Sequence, residues 1–219
     1  MPRGPRFVFQ NAFYHVFNRG INKQQIFFSD ADYQFFLKKL LLLKSKYDLS
    51  IYAYCLMPNH FHISIQTRKT PISKIMSSLS TSYSMYFNRT YNHFGPVFQN
   101  RFKSILIEND SYFVKLSQYI YLNPVKAGLI KNPLDFQYSS IREALGNEPL
   151  RLLDEDIVRL IGDTKGSRKE YRQFIYEGFD EDLTDIHRLF DKEEATLGTN
   201  KFSTLAQKKY LRRRNKKSV

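Results

Sequence analysis

The sequence predicts an α+β fold of the ferredoxin-like kind, an antiparallel sheet with helices packed on one face, and three observations lead there. Strand-like and helix-like periodicities alternate in the order β-α-β-β-α-β-α between residues 12 and 122. The second and third strands are separated only by Pro58-Asn59, which makes them a hairpin. The two long helical segments each carry one apolar stripe, as helices do when they cover a sheet.

Taken in order, residues 12–18 are dense in aromatic and β-branched types and end at an Arg19-Gly20 turn, which marks a first strand. Ser29 with Asp32 forms a capping box before a helix running to about Tyr47, whose apolar positions Tyr33, Phe36, Leu37, Leu40, Leu43 and Tyr47 keep the 3.6-residue period. Residues 50–56 form the second strand and residues 60–67 the third. A second helix starts at Pro71 behind Thr70 as its cap, with Ile72, Ile75, Met76, Leu79, Tyr83, Tyr86 and Phe87 on one stripe. Residues 92–103 mix aromatic, amide and basic side chains, a composition suited to stacking on bases and holding phosphates. Residues 103–108 are a fourth strand, and Asn109-Asp110 caps a third helix from Ser111 to about Leu122. Beyond Pro124 the periodicity weakens, and two short helices are expected at about 154–161 and 167–177.

Charge divides the 219 residues into three parts. Residues 1–149 carry 18 basic and 8 acidic side chains, residues 150–200 carry 8 and 13, and residues 201–219 carry 8 and none. The expected organisation is therefore a basic domain over 1–149, an acidic helical extension over 150–200 and a basic tail over 201–219 without order. A net charge of +13 concentrated this way points to a polyanionic partner. No apolar run approaches the roughly 18 residues of a membrane span, no secretory leader is recognisable, and the cytoplasm is the expected location. Cys55 is the only cysteine, so neither an internal disulfide nor a cysteine-cluster metal site is available.

Two places carry chemistry. In an extended strand alternate side chains share a face, so His60 and His62 project together while Phe61 and Ile63 project away. In the third helix, Phe113, Leu116 and Ile120 define the buried stripe, and Tyr119 and Asn123, one helical turn apart, lie along its edge. Two imidazoles on a strand facing a phenol and an amide on a helix form a site suited to a phosphodiester. His15 is a second-shell candidate or a core histidine. Lys115, one turn before Tyr119, is a solvated charge or an aid to the phenol.

Residues 7–141 resemble the single-tyrosine HUH transposases, and particularly their REP-associated branch. The resemblance rests on four motifs in the family's order: His-Val-Phe-Asn-Arg-Gly at 15–20, Ala-Tyr-Cys-Leu-Met-Pro-Asn-His-Phe-His at 53–62, Phe-Gln-Asn-Arg-Phe-Lys at 98–103 and Tyr-Ile-Tyr-Leu-Asn-Pro-Val-Lys-Ala-Gly-Leu at 119–129. A His-x-His pair alone is a weak signal, whereas four ordered motifs are a strong one. Insertion-sequence members usually carry Gln four residues after the tyrosine; Asn123 followed by Pro124 matches the REP-associated branch and implies a domesticated role.

The resemblance implies an HUH-type sheet and a metal-dependent enzyme that cuts and rejoins single-stranded or hairpin DNA through a 5′-phosphotyrosine. Carried over, Tyr119 is the nucleophile and His60, His62 and Asn123 are the protein ligands of a divalent ion, Mg²⁺ or Mn²⁺. Arg19, Arg101 and Lys103 are expected to contact the DNA backbone. The same resemblance places the protein on the nucleoid and leaves room for a homodimer. The competing reading is a non-catalytic binder whose sheet stacks on bases as RNA-recognition modules do.

Overall fold

The computed structural model describes residues 8–108, 110–149, 151–154, 164–178 and 196–215. Its sheet comprises β1 (Phe13–Arg19), β2 (Leu49–Met57), β3 (His60–Thr67), β4 (Lys103–Ile107) and β5 (Thr196–Leu197), in the spatial order β2-β3-β1-β4-β5. The first four strands pair antiparallel, and the chain passes from β1 through α1 (Asp30–Tyr47) to β2 while β3 fills the gap between them. This is the split β-α-β plan expected from the sequence. The edge differs from expectation: β5 runs parallel to β4, which makes the sheet mixed.

The helices also cover both faces, a correction to the one-sided arrangement. Phe61 of β3 packs against Phe36 of α1, and Phe36 packs in turn on Tyr83 of α2 (Ile72–Tyr91). On the opposite face Phe13 and Tyr52 meet Phe113 of α3 (Asp110–Lys126). The physical reason is visible in the hairpin. All nine residues of β2 are buried, and so are seven of the eight in β3, so these strands require cover on both sides.

Helix ends shift as well. Pro71, with an extended backbone, stands at the N-cap of α2 in place of Thr70. Helix α3 runs past the expected stop at Leu122 and carries Pro124 in its last turn. It closes where Gly128 takes a positive φ of 70° and Leu129 N–H returns to Pro124 O. Asp32 does more than close the box predicted at α1. Its carboxylate accepts from the backbone N–H groups of Phe28 and Ser29 and from the hydroxyls of Tyr86 and Tyr91 on α2, tying the two helices together. Among the described residues no helix is long and apolar enough to cross a membrane.

Residues 151–154, at the start of the acidic stretch, are stitched to the domain before them. After α4 (Ile141–Ala144), one oxygen of the buried Glu143 accepts from Arg151, Leu152 and Leu153 N–H, and the other accepts from the Tyr54 hydroxyl. Lys44 pairs with Asp154 at 3.0 Å. The helix expected near 154–161 lies almost wholly outside the described residues. The one expected at 167–177 is α5 (Lys165–Glu177), capped by the Thr164 side chain and packed on the back of α3. Over its described residues, 201–215, the tail departs from the expected lack of order, because α6 (Asn200–Asn215) is helical. Glu108 holds its start by accepting from Thr199 N–H and Oγ–H, while Thr199 Oγ1 accepts from Phe202 N–H; a cap supplied from 91 residues away leaves no trace in the local apolar period.

Two outcomes follow from this packing. Removing the Glu143 carboxylate strands three backbone donors, so Glu143→Ala is expected to cost about 3 kcal/mol and to lower Tm on the order of 10 °C, read by calorimetry. Burial acts to raise the Asp32 pKa, but the hydrogen bonds from Tyr91, Phe28, Ser29 and Tyr86 outweigh it and hold the carboxyl below its ordinary value. Ionised Asp32 therefore contributes stability that is complete above the ordinary carboxylate range and is lost as pH falls through the depressed folded value. In urea unfolding between pH 3 and 7, Asp32→Asn is expected to be weaker than wild type at neutral pH, with the gap closing in acid.

Candidate active site

The centre of the sheet and α3 together form a cleft. In the β1–β3 ladder Phe17 faces His62 and Arg19 faces His60, and α3 crosses the same face. The end of β1 is closed by residues 97–99. Ile21 N–H donates to Val97 O, Gln99 N–H donates to Arg19 O, and Arg19 Nε–H donates to Gln99 Oε1 at 2.6 Å. Gly20 is needed at this turn because a Cβ there would fall 2.2 Å from Gln24 O. The resulting cavity of about 440 Å³ is lined by all seven residues singled out from the sequence: His60, His62, Tyr119, Asn123, Arg19, Arg101 and Lys103.

Both histidines are held through Nδ1. His60 Nδ1 lies 2.6 Å from Asn59 Oδ1, and Asn59 Nδ2–H donates to Lys23 O, which fixes the amide so that its oxygen faces the ring. An amide oxygen only accepts, so His60 carries its proton on Nδ1 and the nitrogen that can act as a ligand is Nε2. His62 Nδ1 lies 2.9 Å from His15 Nε2, and the two rings stack at 5.0 Å. Burial lowers the His15 pKa to about 3, so this ring is neutral at physiological pH. The His60 and His62 rings stand perpendicular, 5.0 Å apart.

Helix α3 supplies the opposite wall. Tyr119 is buried, with its ring edge-on to His62 at 5.5 Å and to His15 at 6.0 Å. Asn123 Nδ2–H donates to Tyr119 O at 2.8 Å, which leaves Oδ1 as the atom of this side chain that can meet a cation. The helix is fixed from behind, where Ser117 hydrogen-bonds Tyr171 and the Gln118 amide donates to Phe174 O on α5. Two imidazole nitrogens and one amide oxygen form a mixed set that suits Mg²⁺ or Mn²⁺, with positions remaining for phosphate or water. Among the described residues no three His, Cys, Asp or Glu side chains gather as a metal site, so the fit rests on this mixed set.

Other candidates separate cleanly. Lys115 is exposed and does not line the cleft. Cys55 is fully buried, its thiol pushed far up by desolvation, and is a packing residue. Lys126, Asn59 and Gln99 do line the cavity and were not singled out by sequence reasoning. Lys126 is seven residues after Tyr119, two turns along the same helical face, but Pro124 reads as the end of that helix. Asn59 reads as a turn residue, and nothing in its neighbours signals a bond to the His60 ring.

Residues 8–123 match the model of a family described as "Transposase IS200 like", which spans more than half of the chain. Among solved structures the chain is similar to a REP-associated tyrosine transposase bound to a REP hairpin. Identity is 19%, the TM-score is 0.58, and the match covers 69% of this chain and 90% of that one. A protein of Deinococcus radiodurans assigned to the transposases matches at 15% identity and a TM-score of 0.38, over 55% of this chain and 94% of its own. No curated protein matches.

Proposed function

The chain belongs to the IS200-like transposase family, whose members are DNA-transposing enzymes, and from that premise we propose that it cleaves and rejoins single-stranded DNA through a covalent bond to Tyr119. The observation that carries this reading is the convergence of a buried phenol, two imidazoles held by Nδ1 and an amide oxygen in one cleft with a cationic rim.

In the proposed reaction the Tyr119 oxygen attacks the scissile phosphorus, the bond from phosphorus to the 3′-oxygen breaks, and the phenolic proton ends on that oxygen. The products are a 5′-phosphotyrosine and a free 3′-hydroxyl. One ester is exchanged for another, so attack by a 3′-hydroxyl reverses the step and rejoining needs no nucleotide cofactor. His60 Nε2, His62 Nε2 and Asn123 Oδ1 would hold a divalent ion, Mg²⁺ or Mn²⁺. Such an ion supplies Lewis acidity to the phosphate and lowers the cost of the charge that develops there. A free phenol is only about 0.1% ionised at pH 7. In the proposed reaction α3 contributes by holding the Tyr119 hydroxyl oriented toward the phosphate before attack.

The rim defines the substrate. Arg19, Arg101 and Lys103 are exposed cations around the opening, and Lys126 adds another on the α3 side, an arrangement that grips a phosphate backbone without reading sequence. Hairpin-forming repeats are the proposed targets. The structurally similar transposase is bound to a REP hairpin, and Asn123-Pro124 in this chain matches the REP-associated pattern. We place the enzyme on the nucleoid, with residues 1–149 forming its catalytic domain and α5, within the acidic extension over 150–200, serving as a brace for α3. A purely binding sheet is disfavoured by one observation: α3 covers the face that bears His15 and His62, so no open stacking platform exists there.

Incubated with a hairpin-bearing DNA strand and Mg²⁺ or Mn²⁺, the protein is expected to yield a protein-linked DNA band on denaturing gels. The band should be absent with Tyr119→Phe and with excess chelator; cleavage that persists in Tyr119→Phe would refute the nucleophile. Five cleft cations, Lys23 included, on a single strand imply a slope near −3.5 in log K against log salt, so affinity should fall roughly 100-fold between 50 and 200 mM. Fluorescence anisotropy reads this, and a flat response would remove the rim from the DNA surface.

A further inference from the structure

His15 lies outside the proposed ligand set, on the neighbouring strand and beneath the metal-facing pair. It is 1% exposed, yet its Nε2 reaches His62 Nδ1 at 2.9 Å across the β1–β3 ladder, and the stacked rings differ by only 21° in plane. A single proton occupies that bridge. If it sits on His62 Nδ1, the His62 Nε2 atom presents a lone pair to the cleft. If it sits on His15 Nε2, then His62 must carry its own proton on Nε2 and cannot bind an ion. His60 meets no such choice, because Asn59 Oδ1 can only accept.

We propose that His15 is a positioning residue for the metal site: its Nε2 accepts the His62 Nδ1 proton and holds the His62 ring in the ligating tautomer and orientation. The inference rests on the reading of His60 and His62 as metal ligands and adds the device that prepares one of them. The two ligands are prepared by different means, His60 by an amide in the hairpin turn and His62 by a second imidazole on the next strand. Outer-shell partners of metal-bound histidines fix the tautomer and raise ligand basicity. Placing the acceptor on β1 also links the first strand to the site through more than one contact, since the Phe17 ring of the same strand, itself 5.1 Å from the His15 ring, stacks on His62 at 5.8 Å. Rotation of the His62 ring would sacrifice both contacts.

Long-range proton–nitrogen spectra of the protein labelled at histidine nitrogen read the tautomer directly, and Mn²⁺ binding followed by electron paramagnetic resonance reads the consequence. In the Mg²⁺-loaded wild type, the His62 proton is expected on Nδ1. A wild-type proton on Nε2 overturns the proposal whether or not any variant folds. His15→Phe, which keeps a ring but offers no acceptor, is expected to lose roughly 10- to 100-fold in Mn²⁺ affinity and to mix the His62 tautomers, while His15→Gln, whose amide oxygen can accept, recovers part of the loss. Folded His15→Phe with wild-type Mn²⁺ affinity and an unmixed His62 signal also overturns it. His62→Ala separates the two levels. If it binds Mn²⁺ as wild type does, the ligand reading itself fails. If it loses affinity while His15→Phe does not, only the role of His15 fails.

Discussion

In a β-ladder side chains alternate between faces, and the pairing of Phe17 with His62 and Arg19 with His60 therefore commits every residue of β1 and β3 to one side. Slipping this register by one residue would send His62 into the layer that holds Phe36 and Phe61 and would bring Ile63 to the cleft. The apolar face opposes that slip, since Phe61, Ile63 and Ile65 are fully buried beneath α1 and α2. The site is thus set by hydrophobic packing on the far side of the sheet. The polar residues take the positions that the apolar ones leave.

The second constraint acts on α3. The proposed nucleophile is only as well placed as the helix that carries it, and this helix has a proline in its last turn, which removes one backbone donor. Three contacts compensate. Phe113 packs on the touching rings of Phe13 and Tyr52 near the start of the helix, Ser117 and Gln118 hold α5 at its middle, and the Asn123 amide bonds back to Tyr119 O. Asn123 thereby serves geometry twice, bracing the turn that carries Tyr119 and lining the cleft beside it. This explains in physical terms why an amide four residues after the tyrosine suits the position.

Much of the architecture is legible in the sequence because it is written in short-range periodicity. The hairpin at Pro58-Asn59, the stripe of α2 and the Ser29–Asp32 start of α1 appear where those rules put them. What eludes the sequence is set by contacts distant along the chain. Covering the second sheet face with α3 depends on Phe113 reaching Tyr52, β5 depends on pairing to β4 from 90 residues away, and the order of α6 depends on Glu108 capping Thr199. At the site, the residues of the cleft were identifiable because each lies in a compact motif. Lys126 was hidden by Pro124, and the partners of the histidines were hidden because hydrogen bonds between side chains have no sequence period.

The two histidine supports also show why the site tolerates burial. A polar ring in a sheet interior costs several kcal/mol unless its nitrogens are satisfied, and the Nδ1 atoms of His60 and His62 are met by Asn59 Oδ1 and His15 Nε2. Asn59 is anchored to Lys23 O and His15 is sealed under α3, so neither can rotate toward water without breaking a further bond. An arrangement of this kind sets ring orientation before any ligand arrives. Binding then selects a geometry that folding has already stabilised, and the entropy cost falls on assembling the sheet and not on the catalytic encounter. The central ladder thus does for the histidine pair what α3 does for the Tyr119 phenol: each fixes one wall of the cleft on a rigid element, and the packing of Phe113 on Phe13 and Tyr52 holds the two walls together.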